Sequence, residues 1–147
     1  MSGSGILSPV EVRTYINDFA EANLLIDGEE FSDTMIQLCI ELAVTDYNQF
    51  TPLSSFSSST FPSKGLLLIG TLAKLYNGKA AHLARNHMSY SDGGVSIPIE
   101  ERYELYKDLA NSYQQQFNQS AARLKISQNM ESGWGEVRSD QSNFPLW

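Results

Sequence analysis

The chain has 147 residues and a mass of 16.4 kDa, which fits one domain. Ten Lys and Arg against seventeen Asp and Glu leave a net charge of −7 and a pI near 4.7, a balance that repels phosphates and argues against sequence-specific nucleic-acid binding. The single cysteine, Cys39, excludes an internal disulfide, no cluster of Cys and His has zinc spacing, and no apolar run nears the roughly 20 residues that cross a bilayer. With neither a basic start nor an apolar stretch in residues 1–5, the expectation is a soluble intracellular product without membrane, metal or cofactor.

The first helix signal is Ser8-Pro9-Val10-Glu11, a capping box with proline at the first helical position. Val12, Tyr15, Ile16, Phe19 and Ala20 recur at helical spacing, so this helix is expected to end between Phe19 and Leu24, before the Asp27-Gly28 turn. Ser32 caps the second helix. Its residues Met35, Ile36, Leu38, Cys39, Ile40, Leu42, Ala43, Val44 and Tyr47 are apolar around most of the circumference. Such a helix lies at the centre of a bundle or is covered by a neighbouring chain. Thr51-Pro52 ends it.

Residues 53–63 form a Ser-rich loop, with Phe56 and Phe61 exposed or folded back. The third helix is expected from about Ser63 to Met88, with Asn77-Gly78 as its weakest point because that pair favours turns. Residues 89–98 read as a loop or short β-ribbon around Asp92-Gly93-Gly94. The fourth helix is the clearest: Tyr103, Tyr106, Ala110, Tyr113, Phe117, Ala121 and Leu124 step by three and four, with Glu near its start and Arg123 and Lys125 near its end. From 127 to 147 there is no periodic apolar face, yet Trp134, Val137, Phe144, Leu146 and Trp147 are present. The expected architecture is all-α: a small four-helix bundle over 1–126, a hairpin-like loop between its third and fourth helices, and an extended C-terminal arm over 127–147.

Charge is split along the chain. Residues 11–46 carry nine carboxylates against Arg13, a local balance of −8, and residues 47–98 carry +3. Either this is ordinary surface variation, or an acidic side of one subunit meets the basic side of the next.

No catalytic constellation stands out. His82 and His87 are five apart and do not share a helical face as zinc ligands four apart would. Cys39, in an apolar helix with no adjoining cation, reads as a buried structural thiol. Ser63-Lys64-Gly65 lacks the spacing of a phosphate loop, and Asp92-Gly93-Gly94 lacks the later ligands of a calcium loop. Carboxylates near 27–33 read as a solvated acidic turn or a cation site. Tyr90, Trp134 and Trp147 lie outside the expected helices. They either fold back on the bundle or anchor in a partner, and Trp147, at the tip of an arm, favours the partner.

Two stretches carry a resemblance. Gly28-Glu29-Glu30-Phe31-Ser32-Asp33 leads into the second helix, and Arg85-Asn86-His87-Met88-Ser89-Tyr90-Ser91-Asp92-Gly93-Gly94 follows the third. Together with the Pro9-led start, they resemble small virion proteins of tailed bacteriophages, and the whole is similar to the head–tail connector (adaptor) proteins of the phage neck. The resemblance covers roughly residues 8–126 in architecture, through short motifs. It implies a non-enzymatic structural protein of the virion: a helical subunit in a ring, usually of twelve, beneath the portal and above an adjoining neck or tail protein. Its C-terminal segment docks on the portal, and DNA passes through without specific binding. Partner or oligomer contacts are then expected at Tyr90, Asp92, Gly93, Gly94, Trp134, Phe144, Leu146 and Trp147. Glu29, Glu30 and Asp33, in the acidic segment 11–46, are candidates for the channel lining, since an acidic wall lets phosphates slide where a basic one holds them, and equally for an outer surface. Alternatives are another minor neck or tail-completion protein, a cytosolic helical module that binds a protein through the arm, and a small helical enzyme with an acidic metal site near Asp27–Asp33.

Overall fold

A computed structural model describes residues 5–23, 28–89 and 96–142, with the side chains of the last helix described from 101 to 130. The chain is all-α, with no strand among the described residues. Its helices are α1 (Pro9–Ile16), α2 (Asp33–Gln49), α3 (Lys64–Ser89) and α4 (Ser96–Ser142).

α1 begins with the capping box read from the sequence: Glu11 N–H donates to Ser8 Oγ, and Ser8 N–H donates to the Glu11 carboxylate. It ends at Ile16, earlier than the apolar spacing suggests. Asn17 takes the left-handed conformation (φ 56°), and the N–H of Asp18 closes back on Arg13 O. This early turn swings the Asp18 side chain under Arg13. Tyr15, placed on the apolar face by its spacing, is exposed instead.

α2 is capped by Ser32, whose Oγ accepts from Met35 N–H, and α3 by Ser63, whose Oγ accepts from Leu66 N–H. α3 holds 26 residues, about 39 Å of helix. It passes through Asn77-Gly78 unbroken. Gly78 lies against the Met35 side chain of α2, and Asn77 accepts from Lys107 of α4, so packing on both sides overrides the local turn preference.

α3 is the central element and runs antiparallel to both neighbours. Ala43 and Met35 of α2 lie against Gly70 and Gly78, while Phe117 and Lys107 of α4 lie against Gly70 and Asn77. The core between them contains Ile36, Ile40, Tyr47, Leu67, Leu72, Leu75, Phe117 and Ala121. The Ser-rich loop folds back on this core. Phe61 is buried, Phe56 packs beside it, and both rings contact Tyr47.

The tightest point is Gly70, where all three long helices meet. A Cβ there would stand 2.6 Å from the Phe117 ring and 3.0 Å from Ala43 Cβ. Glycine is required for this approach and not for any unusual φ.

α4 departs from the sequence reading at both ends. It begins at Ser96, so Ser96, Ile97 and Pro98 are helical and not part of a ribbon; residues 90–95 lie outside the described residues. It continues to Ser142, a run of 47 residues and about 70 Å, so 127–142 is helix and not extended chain. The missed signal is in the sequence: counted from Ile126, apolar residues recur at 126, 130, 134 and 137.

Gly70→Ala is expected to destabilise the fold by about 1–2 kcal/mol in urea melts, because overpacking at the crossing outweighs the gain of about 1 kcal/mol in helix propensity. Unchanged or raised stability would show that Phe117 yields freely.

Candidate functional site

Three polar clusters and two uncovered helix faces stand out. The first cluster centres on Arg13, the only cation in the acidic segment 11–46. Arg13 is 3% exposed and faces three carboxylates. Its Nη1 donates to Asp18 Oδ2 at 3.0 Å and its Nη2 to Asp33 Oδ1 at 2.6 Å, with Glu29 Oε2 lying 3.3 Å from Nε. Asp18 is equally buried and also accepts from Glu30 N–H, Phe31 N–H and the Asn23 amide. Burial alone would raise the Asp18 pKa. These hydrogen bonds and the Arg13 charge outweigh it and hold the carboxyl below its ordinary value. The cluster ties α1, the 28–31 segment and the start of α2 into one unit.

The second cluster centres on Glu30. Tyr106 of α4 donates its hydroxyl to both Glu30 oxygens at 2.7 and 2.8 Å, with Arg102 at 3.5 Å and Lys79 at 3.9 Å. Burial first, and then the Glu30 carboxylate, push the Tyr106 hydroxyl up to about 12. Tyr106 stacks on Tyr76, which stacks on Tyr113, and Phe31 meets Tyr76 edge-on. Tyr76, too, is pushed up to about 12, chiefly by burial. These tyrosines stay neutral and act as packing and hydrogen-bonding groups.

At the other end of the body, Lys125 is 2% exposed although it carries a charge. Its Nζ donates to Pro52 O and Ser54 Oγ, both at 2.6 Å, and lies 4.6 Å from the centre of the Tyr47 ring. Burial lowers its pKa. Tyr47 in turn donates to Gln128 Oε1 at 2.8 Å. Lys125 therefore fastens the Ser-rich loop to α4. Its placement at the helix end suggested a dipole partner and gave no sign of burial.

The acidic triad of the sequence reading is divided between the clusters. Glu29 and Asp33 join Arg13 with their carboxylates still facing solvent, while Glu30 is held inside against Tyr106. The cations and the phenol there occupy the carboxylates, and no group of three His, Cys, Asp or Glu suited to a metal ion occurs among the described residues. Cys39 is buried, and burial raises its thiol to about 11. His82 is half-buried against Asn86, with Lys79, Arg85 and Arg102 nearby. The cavity described, about 330 Å³ and open, is lined by Ser63, Leu66, Ser120, Arg123 and Leu124 and brings no acid–base pair together.

Of the expected contact residues, Tyr90, Asp92, Gly93, Gly94, Phe144, Leu146 and Trp147 lie outside the described residues, as does Asp27. Trp134 falls within α4.

The uncovered faces are more informative. On α2, Leu38 is 49% and Leu42 is 42% exposed, beside exposed Thr34, Glu41, Thr45 and Gln49. On α4, Leu105 and Leu109 are exposed on the side away from α3, and Ile126 (60%) and Met130 (54%) continue the row. Residues 109–122 contain no charged side chain, and the exposed ones among them are Asn, Ser, Gln, Ala and Leu109. A solvated helix face is ordinarily charged.

The chain matches no protein-family model, and no curated protein or solved structure is detectably similar to it. No helix among the described residues is long and apolar enough to cross a membrane.

Asp18→Asn is expected to destabilise the protein by about 3 kcal/mol at pH 7, as the breaking of a buried ion pair does. Because the Asp18 pKa is depressed in the folded state, its contribution is complete above pH ~4 and is lost as pH falls through the lowered value. The gap between wild type and variant, read from denaturant melts, should therefore close below pH ~4; a constant gap would remove Asp18 ionisation as its source.

Proposed function

We propose that the chain is a non-enzymatic structural subunit, a head–tail connector that forms a ring in a phage neck between the portal and the tail. The observation that carries this reading is the pair of uncovered, charge-poor helix faces on a body whose core is otherwise complete. Burying such faces requires little desolvation of charge, whereas leaving them in water gives up apolar contact. A subunit with two different sticky faces builds rings or filaments.

The extent of α4 supports the same reading. Ser63 and Leu66 at the start of α3 line one cavity with Arg123 and Leu124, so α4 continues for nearly twenty residues beyond that level. A helix of that reach suits contact with an adjoining subunit or with the portal. The polar clusters fit a structural role because they fasten elements together. Within a ring, Glu29 and Asp33 are the carboxylates we assign to the channel side, where DNA passes unbound; Glu30 belongs to the interior of the subunit. The number of copies follows the family resemblance, usually twelve.

Cryo-electron microscopy of the particle that contains this chain should show α3 and α4 repeated around the neck axis. Absence of the chain from purified virions, with recovery as a monomer from host cytosol, would overturn the proposal and favour a cytosolic interaction module.

A further inference from the structure

The uncovered faces of α2 and α4 complement each other, an inference that rests on the ring reading above. Over 34–49 on α2 and over 123–130 on α4 the exposed side chains include one charge each, of opposite sign. On α2, Glu41 is exposed between Leu38 and Leu42. On α4, Arg123 is exposed one turn before Ile126, with Met130 beyond. Neither Glu41 nor Arg123 has an ion-pair partner among the described residues.

We infer that the outer face of α2 in one copy packs against the 123–130 face of α4 in the next, with Leu38 and Leu42 against Ile126 and Met130 and Glu41 paired to Arg123. The occupant is a second copy because the two faces complement each other in apolar character, in scarcity of charge and in the sign of the single charge each holds. The contact is heterologous and not two-fold. An α2-on-α2 contact sets Glu41 close to its own counterpart, and an α4-on-α4 contact over 123–130 does the same with Arg123; either is repulsive. A heterologous contact repeated with a fixed rotation closes into a ring when that rotation divides a full turn, and winds into a filament otherwise. The ion pair sets the register, and the four apolar side chains supply the adhesion.

The test uses full-length chains. Sedimentation equilibrium of Glu41→Arg and of Arg123→Glu should each show self-association weakened about tenfold or more, and the double reversal should return to within about threefold of wild type. Circular dichroism checks that helix content is unchanged in all of these surface variants. In a second arm, chains carrying Leu42→Cys are mixed with chains carrying Ile126→Cys under mild oxidation. A disulfide-linked heterodimer is expected, and buried Cys39 does not compete. Assembly with unchanged affinity in both single reversals, and no cross-link, would overturn this pairing while leaving a ring built on other surfaces. A chain that stays monomeric at every concentration also overturns it; virion localisation then decides the structural role separately.

Discussion

The fold depends on one close approach. At Gly70 the three long helices come so near that a single methyl group would press on Phe117 and Ala43. That crossing fixes which sides of α2 and α4 face α3. It thereby fixes which apolar residues are left outside: Leu38 and Leu42 on one helix, Ile126 and Met130 on the other. The uncovered faces are a consequence of how the core closes and not of loose packing, since Ile36, Ile40, Leu67, Leu72 and Leu75 are fully enclosed.

The polar clusters act at the margins of this core. Arg13, Asp18 and Asp33 hold α1 and the 28–31 segment to α2, and Glu30 with Tyr106 holds that segment to α4. At the opposite end, Lys125 and Gln128 hold α4 to the Ser-rich loop and to Tyr47. Buried ion pairs of this kind are weak sources of net stability but costly to break from one side, so they fix geometry. The local charge of −8 in residues 11–46 is therefore partly internal. Its lone cation gathers three of the carboxylates, and a fourth, Glu30, is taken by α4 and α3.

Much of the fold was legible in the sequence where local chemistry and packing agree. Ser8-Pro9-Val10-Glu11 and Ser32 gave the starts of α1 and α2, and the stepping from Tyr106 to Leu124 gave the inward face of α4. The excess of apolar residues on α2 was legible too, and Leu38 and Leu42 are its uncovered part. What was hidden depends on partners distant in sequence. Asn17, which tolerates the left-handed conformation, is a weak local mark for the end of α1; what fixes the stop there is Asp18 reaching Arg13, Glu30 and Phe31. Nothing local shows that Lys125 is buried or that Gly70 is a crossing. The continuation of α4 past 126 was obscured by Gly133 and Gly135, which lower helix propensity without preventing a helix.

On the proposed reading, the surplus apolar surface is covered by copies of the same chain. Native mass spectrometry of the full chain over rising concentration tests it most directly. A ring-forming subunit gives a monomer that yields to one closed oligomer of fixed mass, with few intermediates. A monomer alone at every concentration, or a dimer that grows no further, would contradict it.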